Sequence, residues 1–418
     1  MKRRLVPFAT RDGGRRPHAT RVAIAIAIAI AGFALLAGIT QAAVAGPVGH
    51  AKEGNEHRSS RHIFVIMMEN HGFSQIIGNK DDAPHINALA RHNGLATDYL
   101  GVTHPSLPNY LATISGDFQG IWDDCKADPT LTCPPEEFVP GSGDGTDGNY
   151  LTPAQITSSS AMKHMFGGPN LVDQLEAKGL TWRAYMQSIP GIGSEVEYAP
   201  VINTMTGPAT VKLYAQKHDP FMYFSDINYP GSPRLNDIVP FEGNFSADLA
   251  SGDVPNFVWI SPDQCHDMHG ISPETAQLVG LPSCGYPDTG LDHGAIRLGD
   301  TFVHDTVKEI KRSHTWKTTD SSIVIVWDED DYTGFDGCCG SPIGTGGVVL
   351  GGARVPLIVI NSDHGGGDRH EGGDRERTDV LSNHYSLLAT IEHVWHLGCL
   401  AEACTIPRSG RLTRLFES

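Results

Sequence analysis

The sequence predicts an α/β fold, a mostly parallel central sheet flanked by helices and interrupted by loop insertions. Three observations carry that expectation. Two uninterrupted apolar runs, His62–Met68 and Ser322–Trp327, are rich in β-branched residues, as expected of strands buried on both faces. Each run stops abruptly at acidic or amide groups, Glu69-Asn70 in one and Asp328-Glu329-Asp330-Asp331 in the other. Strand and helix signals then continue along the chain without a clear linker, which favours one enlarged domain over residues 62–418. In open α/β sheets ligands gather outside the carboxyl ends of the strands, so oxygen ligands from distant segments converge at one edge. Either acidic group alone reads equally as a solvated strand exit. Together, with the serine motif below, they favour a hard divalent cation.

The first element is not part of the fold. A basic stretch (Lys2, Arg3, Arg4, Arg11, Arg15, Arg16, Arg21) precedes an uncharged segment from Val22 to Ala45, and Ala43-Val44-Ala45 offers a small-x-small cleavage site. Residues 1–45 therefore read as a signal peptide and 46–61 as a polar N-terminal segment, which implies a secreted protein. A retained membrane anchor is the alternative, because the uncharged stretch is long enough to span a bilayer.

After the strand at His62, Ile86, Leu89 and Ala90 recur at helical spacing behind Pro84, predicting a helix over 83–93. Residues 117–160 are rich in Gly, Asp, Ser and Pro and read as a long loop. Within it, Asp144 to Asn149 resembles a calcium loop but lacks the distal Glu, so a solvated turn is expected. A helix over 170–178 precedes a strand over 181–186, and 220–224 and 256–260 read as further strands. Residues 300–313 predict a helix, 355–360 a buried strand, and 365–374 a Gly-rich charged loop.

The formal charge of -17, with 20 histidines taken as neutral, argues against non-specific attraction to nucleic acid or anionic membrane. Eight cysteines fit an oxidising compartment. Cys125 with Cys133, Cys265 with Cys284 and Cys399 with Cys404 are close enough to staple local loops, whereas adjacent Cys338 and Cys339 leave their partners open. A zinc site is not expected, since no C-x-x-C spacing accompanies paired histidines.

The segment Thr103-His104-Pro105-Ser106-Leu107-Pro108-Asn109 reads as a loop entering a helix, with Ser106 at or just before its amino end. Free backbone N–H groups and the helix dipole favour an anion there, so a serine alkoxide or its phosphoester is stabilised. A plain helix cap is the competing reading.

The segments Met68-Glu69-Asn70, His104-Pro105-Ser106-x-Pro-Asn109-Tyr110, Lys217-His218-x-Pro220-Phe221, Asp267-Met268-His269, Trp327-Asp328-Glu329 and His384-Tyr385-Ser386 occur in an order that resembles the phosphoesterase family. That family holds acid phosphatases and phospholipases C within the alkaline phosphatase-like fold, and the likeness runs from His62 to Trp395. It implies Ser106 as nucleophile. Glu69 with Asn70, and Asp328 with Glu329, match pairs that hold one metal and touch phosphate, and His218 and His269 match histidines at the phosphoryl oxygens or leaving group. Asn70, Asn109, Asp267 and His384 are the expected substrate-binding residues, although Asn109 serves equally as a cap of its own helix. His266 stands where many members carry Asn, and the stretch Gly270 to Leu291 is extra, holding Cys284 near the site.

The expected function is a secreted, metal-dependent phosphomonoesterase working through a phosphoserine on small-molecule or lipid phosphate esters. His218 and His269, if protonated, would donate to the phosphate and suit an acidic working pH. The alternative is a phospholipase C-type diesterase, which needs an apolar rim from residues such as Phe73, Trp122 or Phe335. A non-catalytic phosphate-binding protein is the third reading, and intact Ser106 argues against it. All-oxygen ligation suits calcium, magnesium or manganese alike.

Overall fold

The structure is a computed structural model that describes residues 61–136, 150–287, 290–362 and 376–416. The signal peptide, the polar segment before Arg61, the Asp144–Asn149 turn and the 365–374 loop lie outside the described residues.

Eight strands form the central sheet: β1 (His62–Met68), β2 (Gly94–Ala96), β3 (Trp182–Met186), β4 (Ile238–Pro240), β5 (Phe257–Ser261), β6 (Ser321–Trp327), β7 (Leu357–Asn361) and β8 (Arg377–Thr378). Their spatial order is β8-β2-β7-β6-β1-β5-β3-β4. Pairing is parallel throughout except at β7, which runs antiparallel to both β6 and β2. The reason lies in the connection from Asp328 to Pro356. It contains no α-helix, so the chain turns back from the edge where β6 ends instead of crossing the sheet. β1 and β6 are buried along almost their whole length, as their continuous apolar sequences require.

Helices α1 (Pro84–His92), α2 (Ser106–Ser115), α3 (Leu171–Ala177), α4 (Phe241–Ser251), α5 (His293–Arg312) and α6 (His384–Val394) bring their apolar faces to the core around the sheet. α3 begins where Asn170 accepts the amide of Val172, and α5 begins seven residues before the expected 300, where Asp292 accepts the amide of Ala295. The expected strand at 220–224 is instead a 3-10 turn, Pro220–Tyr223. A short buried apolar run has no period that separates strand from helix, and the N–H missing from Pro220 suits a helical first turn. No helix among the described residues is long and apolar enough to cross a membrane.

The disulfides are Cys125–Cys133, Cys265–Cys284, Cys399–Cys404 and, between neighbours, Cys338–Cys339. The Cys265–Cys284 bridge ties the extra stretch after His269, with its helix Pro273–Leu278, onto a small second core that also takes Val211 from the hairpin Tyr198–Ala215.

Candidate active site

β1 and β6 are paired in register to their last residues, Met68 opposite Trp327, so Glu69 and Asp328 leave the sheet side by side. The amide of Asp328 donates to Met68 O (3.0 Å), and the amide of Asn70 donates to Asp328 Oδ1 (3.1 Å). β5, on the other side of β1, ends at the same edge, and the turn after it returns the Asp267 carbonyl to the amide of Glu69 (2.8 Å). Asn70 holds a left-handed backbone, φ 48°, a conformation that Asn tolerates better than most residues.

Ser106 is the first residue of α2, and Pro105 occupies the cap position, so the hydroxyl is free to face the carboxylates. Ser106 Oγ donates to Glu69 Oε2 (2.8 Å) and lies 3.2 Å from Glu329 Oε1. The serine is 1% exposed. Its approach loop is held by Asn109: the side-chain oxygen accepts from the amides of Val102 (2.8 Å) and Thr103 (3.2 Å), and the side-chain nitrogen donates to Thr103 O (2.6 Å) and Pro105 O (3.0 Å). All of Asn109's bonding capacity is thus directed to the loop that aims Ser106.

His384 is likewise structural. Its Nε2 donates to Asp328 O (2.6 Å), its Nδ1 accepts from the Tyr99 hydroxyl (2.8 Å), and both rings are buried. It fixes the backbone that carries Asp328. Asp267 faces inward: Oδ1 accepts the amide of His269 (2.7 Å), and Oδ2 lies 3.2 Å from His218 Nδ1. His218 Nε2 in turn lies 3.2 Å from Glu69 Oε1, and the ring stacks on Tyr110. Glu329 Oε2 meets His104 Nδ1, while His104 Nε2 donates to Gly334 O (3.1 Å). Asp330 and Asp331 are not at the centre; they accept from Thr333 and Gln75 in the loop after β6.

Burial raises the pKa of Glu69, Asp267, Asp328 and Glu329, and the charge of Glu69 adds to the rise at the other three. Glu69 Oε1, Asn70 Oδ1, Asp267 Oδ2 and Asp328 Oδ2 are buried and make no hydrogen bond of acceptable geometry, although the first and third lie near the His218 ring nitrogens. Unpaired buried oxygens are costly, and a hard cation is the group that such a donor set satisfies, so Glu69, Asn70 and Asp328 fit one. Among the described residues, the grouping of three metal-ligand side chains whose atoms lie within 4.8 Å of one another is Asp123, Cys133 and His164, and there the Cys133 sulfur is bonded to Cys125.

Burial works against the expected charge on the two histidines. Burial, then the positive charge of Lys217, lowers His218 well below its ordinary pKa and takes His269 down to about 3. The cation at the site is Lys217, to which the motif Lys217-His218 had given no role. Its Nζ lies 2.7 Å from Asp124 Oδ2, 3.3 Å from His269 Nε2 and 3.4 Å from Ser106 Oγ. Burial disfavours its charge, but Asp124 first and Glu69 next outweigh that and leave its pKa well above the ordinary value. The sequence signal for Lys217 was its place beside His218 and nothing more, because its partners lie far away in the chain. Of the residues considered for an apolar rim, Trp122 is buried with its indole donating to Thr103 Oγ1, Phe73 lies under Arg354, and Phe335 packs against His104 and Tyr150.

The class that this site defines is matched by comparison with known proteins. Residues 79–280 match the model of the Phosphoesterase family. A probable acid phosphatase of Kluyveromyces lactis is 24% identical over 366 residues, 87% of this chain and 65% of that protein. A phosphatidylinositol-3-phosphatase of Mycobacterium tuberculosis is 25% identical over 83% of this chain and 80% of its own length. An acid phosphatase of Aspergillus fumigatus is 22% identical over 81% of this chain. The chain spans 65% of the yeast relative and 55% of the Aspergillus one. Among solved structures, an alkaline phosphatase superfamily protein of Vibrio parahaemolyticus (TM-score 0.41, 13% identity, 86% of this chain and 71% of that chain) is similar. So is a phosphonate monoester hydrolase of Agrobacterium radiobacter (TM-score 0.43, 14%, 85% and 77%).

Proposed function

We propose that this protein is an exported phosphoric monoester hydrolase that works through a phosphoserine on Ser106 and depends on one divalent cation. The observation that carries the reading is the Ser106 hydroxyl donating to Glu69 beside Glu329, with the unpartnered oxygens of Glu69, Asn70 and Asp328 adjacent. Calcium, magnesium or manganese held there by Glu69, Asn70, Asp328 and Glu329 would supply charge that lowers the pKa of a nearby hydroxyl and polarises a phosphate oxygen.

The rest is done by the chain itself. Ser106 Oγ attacks phosphorus as the bond to the leaving oxygen breaks. Its proton passes toward Glu69 Oε2, the acceptor it already faces, and the leaving oxygen takes one from solvent. Water then attacks the phosphoserine, the Oγ–P bond breaks, Ser106 recovers its proton and the water gives one up. The names of the curated relatives, acid phosphatases and a phosphatidylinositol-3-phosphatase, support monoester substrates and leave room for a lipid among them. The disulfides and the basic, then uncharged, N-terminal sequence support export.

The test is an acid quench with labelled p-nitrophenyl phosphate. Label covalently bound to Ser106 is expected with the native chain and none with Ser106→Ala. Turnover by Ser106→Ala, or a bis(p-nitrophenyl) phosphate rate above the monoester rate, removes this reading, and the second outcome favours the phospholipase C-type diesterase.

A further inference from the structure

We propose that Lys217 is a catalytic residue of this site, the fixed cation that receives the dianionic phosphoryl group and so selects phosphate monoesters over diesters. The proposal rests on the phosphoserine, monoesterase reading and adds to it the residue that sets the preference.

The hydrogen-bond geometry leaves Lys217 one consistent arrangement. An ammonium has three N–H donors, and three acceptors surround it: Asp124 Oδ2 at 2.7 Å, His269 Nε2 at 3.3 Å and Ser106 Oγ at 3.4 Å. His269 can accept because its Nδ1 lies 2.9 Å from the Gly270 carbonyl, which has only lone pairs to offer, so the ring proton sits on Nδ1. Ser106 can accept because its own hydrogen goes to Glu69. Asp124 is anchored from behind, its Oδ1 taking the amide of Leu107 at the start of α2 (2.9 Å). The nucleophile and the ammonium are therefore held by one carboxylate.

The longest of the three bonds is the one to Ser106. A phosphoryl group on Oγ brings a non-bridging oxygen within reach of that N–H, and the contact becomes a charge-assisted hydrogen bond. Lys217 is 9% exposed, so the interaction acts where water screens poorly. A monoester presents about two negative charges at neutral pH. A diester has one fewer and carries a substituent on an oxygen that Lys217 would otherwise meet.

The experiment compares the native chain with Lys217→Met, Lys217→Arg, the double variant Lys217→Met/Asp124→Asn and Ser106→Ala. Each is assayed for kcat and KM on p-nitrophenyl phosphate and bis(p-nitrophenyl) phosphate, and for inhibition by inorganic phosphate. Lys217→Met is expected to lower monoester kcat by roughly 10²–10³-fold, narrow the gap between monoester and diester rates, and weaken phosphate inhibition by about tenfold. Lys217→Arg recovers part of each. The double variant leaves no carboxylate unpaired, so its melting stays near native while the same losses persist. An unchanged phosphate inhibition constant, or equal losses on both esters, overturns the proposal. An inactive Ser106→Ala beside a fully active Lys217→Met removes this inference alone, whereas an active Ser106→Ala removes the phosphoserine reading beneath it.

Discussion

Met68 and Trp327 end two neighbouring parallel strands as register partners, and this places Glu69 and Asp328 together although they come from opposite ends of the domain. Two buried carboxylates set side by side with unpartnered oxygens are unstable neighbours unless a positive charge joins them.

Asp328→Asn is expected to abolish most turnover, by about 10²-fold or more, while raising the melting temperature of the metal-free protein. Titrating magnesium, calcium and manganese in thermal melts should stabilise the native chain by mass action and the variant much less. Equal cation-induced shifts in both would remove Asp328 from the cation site.

Asn109→Ala should cost about 2–4 kcal/mol, because four backbone groups of the loop 102–105 lose their partner. Urea unfolding measures the stability loss. A drop in kcat with little change in KM would follow from a serine that is no longer aimed; a variant of native stability would contradict the assigned role.

Glu392 on α6 gives a pH prediction away from the site. Burial raises its pKa to about 7, although Gln174 donates to it at 3.1 Å. Its native pKa lies above the unfolded value, so the folded protein binds more protons between them. Its contribution to stability is fully present below pH 4.5, the ordinary value, and is lost as pH rises through about 7. Glu392→Gln is expected to remove that loss and to stabilise the protein at pH 8 by roughly 1–2 kcal/mol, allowing for solvent screening. Parallel melting curves for native and variant from pH 5 to 8 would refute this.

Replacing Cys265 and Cys284 together by Ser releases the extra stretch after His269, a loop closed over a sequence separation of 19. Chain entropy alone sets the cost at about 3 kcal/mol. The stretch carries Tyr286, whose hydroxyl lies 3.0 Å from His269 Nδ1, so KM should change more than kcat. Limited proteolysis between residues 270 and 291, slow in the native chain and fast in the variant, checks the loosening.

Much of the fold was legible because it depends on local pattern. The runs at His62 and Ser322, the proline that opens α1 and the Asn before α3 each determine an element from a few consecutive residues. The turn at Pro220–Tyr223 was misread for the same reason, since a short apolar run carries no period. The serine at a helix start and the acidic pairs at strand ends were also legible, as residue types placed at element ends.

What the sequence determined by itself, then, was the sheet class, the serine at a helix start and the acidic strand exits. Only the tertiary structure decided which polar groups face the site. Asn109 and His384 resemble substrate ligands in sequence, yet their hydrogen bonds go to the loop and the backbone that hold Ser106 and Asp328. Lys217 went unassigned, yet it is the ammonium beside the serine oxygen. The physical reason is that a side chain's charge and bonding depend on neighbours and burial, and those are set by strand register and loop closure across hundreds of residues.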